Sequence, residues 1–260
     1  MGVFSFLYNN IIYKPLLNGL IFLINTLPLH DIGIAIIILT IAVRIIIFPL
    51  NHRAIITQMK MKKIEPELRK IKEDHKDKEE QARKTMALYR AHGVNPFSTF
   101  LVMIIQIPII FALYKVFLLG GKFDSSHLYS FITTPSAINP YFLGLIDLSK
   151  TSYILAALAA LSQFIQIKLA TPPSPPKSGG SSKSDFKDDL TRSMAFQMKY
   201  IMPIFVFIIA LKLTSAISLY WTTMNIFAIV HEVIVKRKSE KIYESGSYQA
   251  NQIPSGGNSS

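Results

Sequence analysis

The sequence predicts an all-α membrane protein: five transmembrane helices around a polar groove, a cytoplasmic helical hairpin, and an N-terminal helix lying in the membrane interface. Three observations predict it. Of 260 residues, 50% are apolar and only 17% charged, a surplus of apolar surface that a soluble domain cannot bury and that must face lipid. Five stretches rich in Ile, Leu, Phe and Ala approach or reach the length needed to cross a bilayer. The net charge of +12 is unevenly placed: residues 52–96, 171–200 and 236–260 hold 12, 5 and 4 of the 28 Lys and Arg, whereas 120–152 hold two Lys and two Asp, and 1–31 only Lys14 and Asp31. Positive-inside bias puts the first three segments in the cytoplasm and the other two outside, so the N-terminus is expected outside and the C-terminus inside.

Residues 1–31 are apolar but broken by Asn9, Asn10, Lys14, Pro15, Asn18 and Asn25, and they lack the clean core and small-residue cleavage site of a signal peptide. An amphipathic interfacial helix fits them. Span 1 is residues 32–51, its apolar run Ile32 to Leu50 interrupted by a single charge, Arg44. Residues 52–96 invert to charged and helix-favouring: Thr57, Met61, Ile64, Leu68 and Ile71 mark one helical face. A polar turn at Asp74-His75-Lys76-Asp77 follows, and then a second arm with Ala82, Met86 and Tyr89 that ends at Gly93. That is an antiparallel hairpin. Span 2 is 97–119, with Gln106 and Pro108 inside it; 120–152 form an external loop; span 3 is 153–170. The Pro-, Ser- and Gly-rich residues within 171–200 read as a flexible cytoplasmic loop, 201–235 as a tight pair of spans, 4 and 5, and 236–260 as a disordered cytoplasmic tail.

The absence of Cys excludes disulfides, thiolate metal sites and prenylation, and Phe6 spoils a myristoylation signal after Met1-Gly2. The six His are scattered, with no His-Glu-x-x-His and no Gly-rich phosphate loop. No enzyme activity, metal or cofactor is expected. An ion-coupled transporter would keep carboxylates or His at mid-membrane; the only candidates, His231 and Glu232, are expected to snorkel to the interface.

Arg44 stands apart. With Ile41 as the middle of span 1, its Cα falls roughly 5 Å to the cytoplasmic side of centre, where an Arg costs about 2.5 to 3.5 kcal/mol on insertion scales. No acid lies at that depth, so a water-filled polar pocket must hold it. Other polar residues match it: Thr40 one turn before Arg44 on span 1; Gln106 on span 2; Ser162, Gln163 and Gln166 on span 3; and Thr214, Ser218, Trp221, Thr222 and Asn225 along span 5, next to Tyr220. Each alone is as well explained by interhelical hydrogen bonding. Four polar stripes converging on one unpaired cation favour a groove.

The segments Ile38-Leu39-Thr40-Ile41-Ala42-Val43-Arg44, Phe48-Pro49-Leu50-Asn51, Met59 to Glu67, Met86 to Pro96 and Gln106-Ile107-Pro108-Ile109 resemble the YidC/Oxa/Alb family of membrane protein insertases. The likeness runs in order from about Tyr13 to Arg237. It is to the bacterial YidC type in its short form, expected without the large periplasmic domain and without the long basic tail some members use at the ribosome. The resemblance implies a hydrophilic groove open to cytoplasm and lipid, with the family's groove arginine on Arg44, its threonine on Thr40 and its aromatic pair on Tyr220 and Trp221. It implies nascent membrane proteins as substrates, with the ribosome, the Sec translocon and membrane lipids as partners, no sequence-specific nucleic acid, and the bacterial inner membrane as location. Two rivals stay open: a small-molecule or ion transporter, for which no internal repeat is visible, and a ribosome-tethering membrane protein, which would need the basic residues but not Arg44.

Overall fold

The structure, a computed structural model, describes residues 3–75, 77–95, 97–118, 125–135, 137–170 and 196–250. Residues 171–195 of the expected flexible loop and 251–260 of the expected tail lie outside them. The chain is mostly helical. In order it forms α1 (Val3–Leu7), a π-helical stretch (Tyr8–Tyr13), α2 (Lys14–Thr26), α3 (Ile32–Ile46), α4 (Phe48–Asp74), α5 (Lys78–Ala91), α6 (Phe97–Leu118), a two-stranded sheet of β1 (Tyr141–Phe142) and β2 (Ile146–Asp147), α7 (Tyr153–Ala170), α8 (Met202–Ala210) and α9 (Ser215–Ala250).

Two described helices are long and apolar enough to cross a membrane, Tyr153–Ala170 and the part of α9 up to Arg237; α3 with α4 makes a third if the bent pair counts as one span. Ile104–Val116 and Lys199–Ala210 are shorter apolar helices.

Span 1 is not the continuous helix the hydropathy predicts. It breaks at Ile47 and turns by 65°, so the hairpin arm starts at Phe48 and not at residue 52. The cause is Pro49, at the start of α4, which lacks an N–H and clashes with the preceding turn. At the other end Asp31 caps α3, its Oδ1 accepting from Gly33 N (2.7 Å) and Ile34 N (3.1 Å).

The core lies where α2, α3, α6 and α9 meet, built on Leu17, Leu20, Ile21, Ile24, Ala35, Ile36, Ala112, Leu113 and Ile217. Thus the N-terminal segment expected to lie in the interface gives one face to the protein core while Phe22 and Ile11 point out. Asn18, which looked like an interruption of the apolar run, is buried; it donates to the carbonyls of Lys14 and His127 and accepts from Tyr129 N at 2.7 Å. Residues 125–152 are sewn to this end of the bundle. Leu143 N donates to Asp31 Oδ2 (2.8 Å), Ser215 N and Oγ donate to Lys150 O (2.7 and 2.6 Å), and Ala216 N donates to Leu148 O (3.2 Å). We refer to this as the loop end, and to the opposite side, where α4 and α5 project, as the hairpin end.

α4 and α5 form the expected antiparallel pair, but the second arm is rotated from its predicted face. Ala82 and Met86 are exposed, while Thr85, Leu88 and Tyr89 are half-buried. No α5 residue is buried, so the sparse apolar pattern there carried too little burial to fix which face turns inward. The tail is a second correction: α9 continues through Ala250, so residues 236–250, expected to lack structure, are helical.

Candidate functional site

A cavity of about 350 Å³ opens between the end of α3, the first turns of α4, the middle of α6, the hairpin-end half of α7 and the stretch of α9 from Met224 to Glu232. Arg44, Gln106, Gln163, Gln166 and Asn225 line it, five of the ten residues expected at a groove. Around them stand Asn51, Gln58, His231 and Glu232.

The break at Ile47 places Arg44 in the last turn of α3, two residues from its end. The helix is 15 residues long and centred on Leu39, so Arg44 lies about 7.5 Å from the middle of α3, nearer the hairpin end than an unbroken span would put it. A cation there also meets the negative end of the helix dipole. No hydrogen bond or ion pair reaches Arg44 from any described residue. Its electrostatic neighbours are Tyr220 and His231.

The amides are held by partners on other helices. Gln106 Nε2 on α6 donates to Tyr220 Oη on α9 at 2.8 Å and approaches Met224 Sδ at 3.5 Å. Trp221 Nε1 donates to Gln163 Oε1 at 2.9 Å, and Gln163 Nε2 points to Gln166 Oε1 at 3.5 Å. Asn225 Nδ2 donates to Ser162 Oγ at 3.1 Å, and Ser162 donates to Ala159 O at 3.0 Å. These bonds fix three amide side chains with polar edges facing the cavity, which lowers the cost of keeping water inside an apolar bundle.

The remaining expected residues stand behind this lining. Thr40 is buried and bonds back to Ile36 O at 2.6 Å, and Thr222 bonds to Ser218 O at 2.8 Å. Ser162, Tyr220 and Trp221 act as supports for Asn225, Gln106 and Gln163. The hydroxyls of Ser218 and Thr214 are buried with no partner among the described residues. Thr40, Ser162, Ser218, Tyr220 and Thr222 are buried, and helical spacing gives each an inward face. It could not tell a face turned to a neighbouring helix from one turned to a cavity.

Two residues expected to snorkel do not. His231 and Glu232 are buried at 5% and 6% exposure and line the cavity. Glu232 pairs with Lys236 at 3.0 Å, and Lys236 also donates to Leu169 O. His231 Nε2 and His52 Nδ1 share a hydrogen bond at 3.3 Å, and the Phe48 ring stacks on His231 at 4.3 Å. This His-Phe-His cluster ties the first turn of α4 to α9 just past the break. Asn51, expected at the end of span 1, and Gln58, expected in the hairpin, are seven residues apart and hence on one face of α4, which the boundary at residue 52 hides. Alongside them, burial and then Lys236 hold the Lys62 ammonium below the ordinary lysine range, with Glu232 and Glu65 opposing.

A family model described as 60Kd inner membrane protein matches residues 23–242. The chain is 33% identical over 231 residues to the membrane protein insertase YidC of Fusobacterium nucleatum subsp. nucleatum, covering 87% of this chain and 98% of that protein. It is 31% identical over 226 residues to the protein of the same name from Syntrophus aciditrophicus, and 29% identical over 212 residues to that of Magnetococcus marinus, covering 36% and 33% of their lengths. The match runs from the end of α2 into α9 and takes in every residue that lines the cavity, and the chain belongs to the 60Kd inner membrane protein family, that of the YidC/Oxa/Alb insertases.

Proposed function

We propose that the chain is a membrane protein insertase whose polar cavity receives the short hydrophilic flank of a substrate while the adjoining apolar helix passes into lipid. The observation that carries the reading is Arg44: a cation with no hydrogen bond or ion pair from a described residue, in a polar cavity inside an apolar bundle, in a chain of the insertase family. Moving a polar flank across a bilayer is opposed mainly by desolvation, and a wet cavity reaching partway across shortens the dry path. Arg44 attracts acidic flank residues, and Gln106, Gln163, Gln166 and Asn225 stand in for water. The exposed apolar side chains of α6 (Ile104, Ile107, Phe111) and of α8 (Ile204, Phe205, Ile208) each offer the substrate helix a lipid-like surface.

In this reading α3, α6, α7, α8 and α9 are five spans around the groove, the loop end faces outside, and the hairpin and C-terminus face the cytoplasm. The substrates are nascent membrane proteins; the ribosome and the Sec translocon meet the hairpin end, and no nucleotide is used. A cysteine at Ser126 should react with an impermeant reagent on intact cells and one at Lys70 only after permeabilisation; the reverse pattern refutes this topology. The function itself is tested by depleting a host's own insertase and scoring which membrane proteins this chain restores to the membrane.

The buried His231 and Glu232 favour an ion-coupled transporter as a second reading. Against it, Glu232 is neutralised by Lys236 and His231 is tied to His52. Measurable proton or sodium flux into vesicles holding the purified chain would revive it.

A further inference from the structure

The loop end carries an apolar surface that insertion does not use. Leu145, Leu29 and Phe131 are 82%, 80% and 77% exposed, and Leu143 and Tyr153 are exposed beside them. The hairpin formed by β1 and β2 has Leu143-Gly144-Leu145 at its turn, and its base cannot give way. Phe142 packs so closely on the first turn of α3 that a Cβ on Gly33 would come within 2.4 Å of its ring. Leu143 N is bonded to Asp31, and Leu148 is fully buried. Leu29 lies on the neighbouring strand-like run, since Asn139 N donates to His30 O (3.0 Å) and Ile32 N donates to Asn139 O (3.1 Å).

Leu143 and Leu29 also adopt left-handed backbone, at φ 51° and 66°. Asn or Gly would take that conformation more cheaply and would suit water better. The charge pattern is the second, independent observation. From residue 125 to 152 the only charged side chains are Asp147 and Lys150, and they pair with each other at 3.1 Å. Three tyrosines, 129, 141 and 153, are exposed on the same end, the residue type that favours a bilayer interface. Beyond Tyr153 the surface continues into the exposed Ile154, Leu158 and Leu161 of α7, a helix of membrane-spanning length and composition. A 125–152 segment that is apolar outermost, carries no unpaired formal charge of its own and runs on into a lipid-facing helix matches the acyl-chain border of a lipid leaflet, although the exposed Lys212 in the nearby α8–α9 turn adds one cation to this end.

We propose that the Leu143-Gly144-Leu145 turn, together with Leu29, inserts into the leaflet at the loop end and anchors that end of the bundle in lipid. The proposal rests on the membrane placement of the helices given above, not on insertion activity. Because the chain has no native Cys, Leu145→Cys provides a unique thiol. The full chain is labelled there with an environment-sensitive fluorophore and reconstituted into phosphatidylethanolamine and phosphatidylglycerol vesicles. Quenching by nitroxide-bearing lipids is compared with quenching by aqueous iodide, with Ser149→Cys at the base of the hairpin as reference.

Several-fold stronger lipid quenching at 145 than at 149, with protection from iodide, is the expected result. Iodide access at 145 equal to that at 149 overturns the proposal. Protection without lipid quenching also overturns it, since the cover is then protein, either another chain or a second copy. Leu143→Cys gives the same readout if the first variant fails to integrate. A wrong topology would show in side-specific labelling at Ser126, which is independent of the depth of the turn.

Discussion

Replacing Arg44 tests the groove most directly, because its surroundings set the size of the effect. Arg44 lies about 7.5 Å from the middle of α3 in a cavity of about 350 Å³, room for on the order of ten waters. A substrate carboxylate about 4 Å from the guanidinium therefore feels an effective dielectric between that of water and about 20, an attraction of roughly 1 to 4 kcal/mol. Arg44→Ala should slow insertion of acidic-flanked substrates by about 5-fold to nearly 1000-fold, while neutral-flanked substrates change little. The variant should accumulate normally. Removing a cation that no described group pairs with relieves a burial cost of up to about 2.5 to 3.5 kcal/mol, against a helix-dipole gain of about 0.3 to 1 kcal/mol. Arg44→Lys should keep most activity, since the charge and not the planar fork is what the flank meets. The assay pairs insertion rates for acidic and neutral flanks in vesicles with the amount of integrated protein. Equal slowing of both substrates, or loss of the Ala variant from the membrane while Lys is no better, would mean that Arg44 serves the fold, and the attraction argued here would be wrong.

Other expectations follow from named contacts. Asp31→Ala removes the cap of α3 and strands Leu143 N, at a cost of about 2 to 4 kcal/mol, read as a lowered unfolding midpoint by the fluorescence of the single Trp221; Asp31→Asn, which keeps one acceptor oxygen, should lose about half as much. Gly33→Ala should be similarly destabilising because its Cβ meets the Phe142 ring at 2.4 Å, and Phe142→Ala in the same chain should recover part of the loss. Lys62 has a depressed ammonium, so charging it opposes docking of α4 on α9. That penalty is fully present below the depressed value and disappears as pH rises through it toward the ordinary 10.5, so a label distance between α4 and α9 should shorten with rising pH, and Lys62→Met should abolish the dependence.

The sequence's legible parts were those where hydropathy and charge act over many residues. The apolar stretches and the turn at Asp74 to Asp77 depend on composition and periodicity, and the helices follow them. Gln106, Gln163 and Asn225 line the cavity, and their helical spacing puts each on a polar stripe. What failed depended on single positions. Hydropathy measures the depth of Arg44 along a straight helix, whereas the one-residue break before Pro49 shortens that helix and turns the next one beneath the cavity. Once α4 turns beneath the bundle, Asn51, Gln58 and His52 become cavity and contact residues. The burial of His231 and Glu232 then follows, since α4 covers the stretch of α9 that a straight span would leave open. The weak apolar face of α5 misled for the opposite reason: with nothing there buried, the pattern had no packing to report.

The break at Ile47 also makes α4 a lever. Its arm runs from the pivot to Asp74, 27 residues or about 40 Å, while its contribution to the cavity wall, Asn51 to Gln58, sits only about 6 to 16 Å from the pivot. A push on the far end of the hairpin therefore reaches the wall reduced in travel and multiplied in force by the same ratio, roughly 2.5 to 7. A body that displaces the hairpin tip by the width of a helix would shift the wall by only a few ångströms, enough to admit or expel a layer of water without unseating the helices of the bundle.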